Sequence, residues 1–137
     1  MALHLIKLCV GCDSVEDLAE WQAGRLKLGF DIGHTTRMFP KRAAEILDGG
    51  SLYWVFKGNV LARQPILDLL EVKGDDGIER CRIVLAHELI RVRPMPKRPF
   101  QGWRYLRPED APADLDTEID DEVPLDLRRE LISLGLL

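Results

Sequence analysis

The sequence predicts an α+β protein: a small curled antiparallel β-sheet or barrel with two N-terminal helices packed on it and one C-terminal helix. Three observations lead there. Between residues 51 and 92, aromatic and β-branched residues gather in short runs that each end in a turn signal, the pattern of antiparallel strands. Before residue 50, two segments carry helical spacing bounded by capping residues. The chain's 137 residues, 46% of them hydrophobic, can bury one core without disulfides or metal and are too few for two domains of ordinary size.

Element by element, the alternation in Leu3-His4-Leu5-Ile6-Lys7-Leu8 predicts a first strand. Ser14, with an acid at Asp17, caps a helix through Val15, Leu18, Ala19 and Leu26 that stops near Gly29. Residues 30–39 read as a loop with at most a short strand. Pro40 then opens a second short helix over 41–47, with Gly49 as its cap. Residues 51–57 and 60–72 form a hairpin around a Gly58-Asn59 turn, and Pro65, which cannot donate to a ladder, marks an edge, bulge or corner. Gly74-Asp75-Asp76-Gly77 makes the next turn, residues 81–86 the next strand, and 89–92 a further short one. Three prolines in residues 93–100 predict an extended loop, anchored by Trp103 and Tyr105. Residues 108–123 are acidic and contain prolines, and read as a linker. Pro124 opens an amphipathic helix to residue 137 whose apolar stripe needs burial on this body or on a partner. The organisation is therefore a globular domain over 1–107, an acidic linker over 108–123 and a helix over 124–137.

Charge divides along the same line. Residues 1–107 hold 17 Lys and Arg against 13 Asp and Glu, and residues 108–137 hold 2 against 10, so a basic body precedes an acidic tail. The tail either folds back on the basic face or serves as a solubilising linker, the latter being the default. No run approaches the ~18 apolar residues of a membrane span. Val10-Gly11-Cys12 faintly resembles a lipoprotein cleavage site, but His4 and Lys7 interrupt the apolar run before it. Three cysteines without framework spacing argue for a reducing compartment, and we expect a cytoplasmic protein.

Four segments are distinctive as they stand: Leu5-Ile6-Lys7-Leu8-Cys9-Val10-Gly11-Cys12-Asp13; Thr36-Arg37-Met38 with Pro40-Lys41-Arg42; Gly49-Gly50-Ser51-Leu52-Tyr53-Trp54-Val55; and Arg98-Pro99-Phe100-Gln101-Gly102-Trp103-Arg104-Tyr105-Leu106. Together they resemble an alphaproteobacterial family of unknown function, domain number fourteen-eighty-nine, over essentially the whole chain. That resemblance implies a bacterial cytosolic protein and brings no activity or catalytic residue. A second resemblance, in order of elements over residues 37–106, is to the PUA-like superfamily and its ASCH branch. It implies a small β-barrel of a kind that mostly binds RNA or modified bases, with a few hydrolases among its members.

The residues that could carry function are chiefly basic. Arg37, Lys41, Arg42, Lys57, Arg63, Lys97, Arg98 and Arg104, interleaved with Tyr53, Trp54, Phe100 and Trp103, supply cations for phosphates and flat faces for unpaired bases. We therefore expect an RNA- or nucleotide-binding module with a site of Arg37, Lys41, Arg42, Lys57, Arg63, Lys97, Arg98, Trp103 and Arg104. The bland reading is that one face of the Tyr53-Trp54-Phe56 strand is core and the arginines are solvated or ion-paired. Cys9-Val10-Gly11-Cys12, between a strand and a helix, suits a redox pair, half of a zinc site completed by Cys81 with His34 or His87, or simply two semi-buried thiols, the commonest case. His34-Thr35-Thr36-Arg37 could hold a phosphate or act in acid–base chemistry, though a loop His beside capping threonines is more usual. A hydrolase acting on a nucleoside or nucleotide is the alternative, with Lys57 and His34 first to test and Arg63 and Glu71 joining only if Pro65 introduces no bulge. A third class is an adaptor docking a partner through residues 124–137. No phosphate loop, nucleophile elbow or paired His-Glu metal motif is present, and no cofactor or metal is expected.

Overall fold

The computed structural model describes residues 3–115; the helix expected over 124–137 and the second half of the acidic segment lie outside them. The chain order is β1 (His4–Leu8), α1 (Val15–Lys27), β2 (Gly33–Thr36), α2 (Ala43–Leu47), β3 (Ser51–Phe56), β4 (Asn59–Lys73), β5 (Glu79–Leu85), β6 (Ile90–Pro96), β7 (Trp103–Leu106) and a 3-10 turn at Pro108–Asp110.

Local chemistry sets the ends of α1. Ser14 Oγ accepts from the Asp17 N–H at 3.1 Å, and the Asp17 carboxylate accepts from the Asp13 N–H at 3.1 Å, a reciprocal cap. At the other end Gly29, at φ +87°, lets the Phe30 N–H reach the Arg25 carbonyl and its own N–H reach that of Leu26, so the last orphan carbonyls are satisfied.

The sheet differs from the expected antiparallel curl or barrel. It has seven strands in the order β2-β5-β4-β3-β1-β7, with β6 also on β4, and it is mixed and open. β1 and β3 are parallel neighbours, Leu5 facing Leu52 and Lys7 facing Trp54, because α1, β2 and α2 carry the chain back to the starting end before β3 begins. The remaining pairs are antiparallel. The β3–β4 turn is Lys57-Gly58, one residue earlier than expected, since Asn59 already pairs with Phe56; Lys57 adopts φ +46° and Gly58 φ +86° to close it.

β4 is the axis of the sheet. Up to Pro65 it pairs with β3, and from Ile66 it pairs with β5, with a register shift between Ile66 and Asp68. Pro65 thus sits at a corner. Residues 93–96, expected as loop, belong to β6: Arg91 to Met95 lie against only Ala62 to Val60, so Pro94 falls inside a bulge and needs no ladder hydrogen bond. Trp103 and Tyr105, expected only as anchors, belong to β7, which pairs with β1.

Both faces of the sheet are covered. The inner face, with α1 and α2, buries Leu5, Leu52, Trp54, Phe56, Ala62, Ile66, Cys81 and Ile83 among others. The outer face buries Ile6, Tyr53, Val55, Val60, Val92 and Leu106 beneath Leu8, Met95, Phe100 and Ala111. Each such aliphatic side chain contributes roughly 1.5–3 kcal/mol relative to exposure. The polar residues Gln22, Thr36, Ser51 and Gln64 are buried as well. Gln64, fully inaccessible, exchanges amide hydrogen bonds with Gln22 of α1 at 2.9 and 3.0 Å, donates to the Ala86 carbonyl at 2.8 Å and accepts from Trp54 Nε1 at 3.2 Å.

The open edges are joined by residues 37–42. Immediately after β2, the Met38 carbonyl accepts from Trp103 Nε1 at 2.9 Å, and the Arg42 N–H donates to Tyr105 Oη at 3.2 Å. Residues 113–115 lie on the body: Arg93 N–H reaches the Ala113 carbonyl at 2.8 Å and Leu115 N–H that of Arg91 at 3.0 Å.

Candidate functional site

Strand register sorts the predicted basic residues onto different faces. On β7, Trp103 and Tyr105 lie opposite Lys7 and Leu5 on the inner face, whereas Arg104 lies opposite Ile6 on the outer face. Arg37 and Lys41 belong to the 37–42 bridge and so border the Trp103 and Tyr105 side. Lys97 and Arg104 both lie over the Phe100 ring, at 5.8 and 5.0 Å from its centre, on the outer side. Arg98 is exposed and follows Lys97 in the segment that leads from β6 to β7. β7 thus has one group at each of its two faces.

Three of the nine are otherwise engaged. Arg42 chelates Glu45 at 2.5 and 2.8 Å. Lys57 lies 3.8 Å from Asp13 at the hairpin tip. Arg63 is on the outer face, bound to both oxygens of Asp114 at 2.7 and 2.8 Å and to Ser51 Oγ at 2.8 Å. Among the described residues, Arg37, Lys41, Lys97, Arg98 and Arg104 have no carboxylate partner.

The group Lys57, Arg63 and Glu71 does not assemble. Arg63 faces Tyr53 on the outer side, while Glu71 faces Cys81 on the inner side, because the register shift after Ile66 inverts the alternation of β4. Cys9 and Cys12 are half-buried against the inner core. Burial, the hydrogen bond with Cys12 and the charge of Asp17 push the Cys9 thiol well up, the reverse of the lowered value a redox pair needs. Among the described residues no three His, Cys, Asp or Glu side chains converge as a metal site.

A polar pair of which the sequence singled out His34 but not Lys7 lies on the inner face beside Trp103. Lys7 points inward between its register partners Trp54 and Trp103 and is half-buried. Burial lowers its pKa, with Cys9 acting in the opposite sense. His34 of β2 is half-buried and meets the Trp54 ring edge-on at 6.0 Å. Burial, then the charges of Lys7 and Arg82, lower its pKa to about 4, so the imidazole is neutral at pH 7. The signal in the sequence was parity: Lys7 is two residues from Leu5 and must share its face. His4, by contrast, accepts from the Ser51 N–H at 3.0 Å through Nδ1 and is part of the framework.

The architecture is that of an open, mixed seven-stranded α+β sheet whose edges are bridged by residues 37–42 and whose β7 rim is basic and aromatic. The chain belongs to the family described as Protein of unknown function (DUF1489), whose model matches residues 5–137. No curated protein and no solved structure matches it. Among the described residues no helix is long and apolar enough to cross a membrane.

Proposed function

We propose that this chain is a cytoplasmic RNA- or nucleotide-binding protein that takes single-stranded RNA across the β7 rim. The observation that carries this reading is that five cations without carboxylate partners among the described residues, Arg37, Lys41, Lys97, Arg98 and Arg104, lie on β7 or in the two segments that adjoin it, beside Phe100, Trp103 and Tyr105. Phosphates are taken by the cations and unpaired bases by the aromatic faces, a combination that tolerates sequence and responds strongly to salt. Arg42, Lys57 and Arg63 have acidic partners and serve the framework in this reading. The order of elements over residues 37–106, similar to that of PUA-like RNA binders, points the same way.

The test is anisotropy of a labelled single-stranded RNA titrated with protein at several salt concentrations. The double substitution Lys97→Glu with Arg98→Glu is expected to weaken binding by roughly tenfold or more and to flatten the salt slope by about 0.7 per lost phosphate contact. An unchanged affinity and slope would remove the rim from consideration.

A further inference from the structure

We propose that Lys7 and His34 form an inner-face site for the phosphomonoester of a nucleotide, free or at the 5′ end of a strand, with Trp103 as the flat face for its base. This deepens the RNA-binding reading and rests on it for the identity of the ligand. Neither Lys7 Nζ nor the imidazole of His34 has a hydrogen-bond or ion-pair partner among the described residues, although both are half-buried. Other inward polar groups on this face are matched: Gln64 by Gln22, Ala86 and Trp54, Thr36 by the Met38 carbonyl, and Trp103 by the same carbonyl. Leaving a polar group away from water without a partner is unfavourable, and a cation is worse off than a neutral group.

The two groups sit on β1 and β2, separated in the sheet order by β5, β4 and β3, and both adjoin Trp54, which is the register partner of Lys7 and meets the His34 ring edge-on at 6.0 Å. Lys7 supplies a positive charge and the neutral imidazole one N–H donor, which suits anionic oxygens and not a second cation. Trp103 follows Lys7 across the β1–β7 ladder and is only partly buried, while Trp54 on the other side is buried and closes the back. Arg37 stands one residue beyond Thr36, so positive charge runs from this cluster outward to the rim where phosphodiesters would lie. A terminal phosphate, carrying more charge than an internal diester, is the part of the strand that gains most from the half-buried lysine.

The experiment uses the full chain and four probes: adenosine, adenosine 5′-monophosphate, and one oligoribonucleotide with either a 5′-phosphate or a 5′-hydroxyl. Calorimetry is expected to show binding of the monophosphate and not of adenosine, and at least fivefold tighter binding of the phosphorylated strand. Lys7→Met is expected to abolish both preferences and Lys7→Arg to restore them in part, while the His34 imidazole, followed by NMR, titrates at higher pH once the monophosphate is bound. No binding of the monophosphate, or no movement of His34, with the strand still bound, would overturn the inner site and leave the rim standing. Monophosphate binding in a protein that ignores both strands would do the opposite, overturning the rim and upholding the site.

Discussion

Arg63 holds Asp114 through two parallel hydrogen bonds, Nε to Oδ1 at 2.7 Å and Nη2 to Oδ2 at 2.8 Å, while Nη1 reaches Ser51 Oγ at 2.8 Å. One guanidinium thereby ties the start of the acidic segment to β3 and β4. It explains why residues 113–115 can add to the free edge of β6 although that edge contains two prolines: the side-chain clasp supplies what the interrupted ladder lacks.

Asp114→Ala is therefore expected to destabilise the fold by about 1 kcal/mol, a modest figure because the carboxylate is partly exposed. Hydrogen exchange should show the Arg93 and Leu115 amides losing protection while the core strands keep theirs. The pH dependence has a definite sign. Arg63 holds the Asp114 carboxyl below its ordinary value, so the contribution is complete above the unfolded-state pKa and is lost as pH falls through the folded one. An acid titration in which Asp114→Ala and the parent protein keep a constant stability difference would count against this clasp.

The buried amide pair gives a sharper expectation. Gln64 uses both hydrogens and two acceptor positions, so Gln64→Leu strands the Gln22 amide, the Trp54 indole N–H and the Ala86 carbonyl at once. We expect a loss of about 2–4 kcal/mol in urea denaturation. Adding Gln22→Leu should cost less than the sum of the two single changes, because the second substitution removes a group the first left unpaired. Strict additivity would mean that the two amides do not act as one unit.

How much of this could be read from the sequence follows from whether the determinant was local. The ends of α1 were legible because Ser14, Asp17 and Gly29 act within one turn. The parallel β1–β3 pairing was not, since it joins residues separated by two helices and a strand. β6 was cut short because Pro94 and Pro96 read as loop residues until a bulge is known to hold one of them. For the site, the identity of the cations was visible but their engagement was not: Arg63 and Arg104 look alike until Asp114, 51 residues from Arg63, is seen to occupy the first. Lys7 escaped notice because Leu5 and Ile6 are both core residues, one on each face of a sheet covered on both sides, so alternation alone named no inside.

Gly50 makes a prediction that rests on space. A Cβ there would come within 2.5 Å of the Ile46 carbonyl oxygen and closer still to that of Leu3, both backbone atoms with no freedom to turn aside. Its own N–H donates to Ile46 at 2.8 Å and its carbonyl accepts from Ile66 at 3.0 Å, so it cannot move without loosening α2 and the corner of β4 together. Gly50→Ala is expected to lose about 3 kcal/mol or more, within the range of strongly destabilising substitutions, and to accumulate in the insoluble fraction. A soluble variant with an unchanged melting temperature would show that this junction is not closely packed.

His34 links the stability of the protein to mild acid. Its folded pKa, lowered to about 4, lies below the value of about 6.5 expected when unfolded, so between those limits the unfolded chain binds a proton that the folded one refuses. Stability must then rise with pH across that window and fall on acidification. With the ring partly open to solvent, we expect the effect to be on the order of 1 kcal/mol. His4 also titrates low, from burial and then from the charge of Arg63, so the parent curve alone would mix two groups. The informative quantity is the difference between the parent and His34→Phe in melting temperature from pH 7 to pH 4.5. The substitution removes the proton acceptor and keeps an aromatic side chain on the inner face, so the variant should lose less stability on acidification than the parent. Parallel curves would mean that His34 is solvated well enough to charge in place, and that Lys7 is not close enough to oppose it.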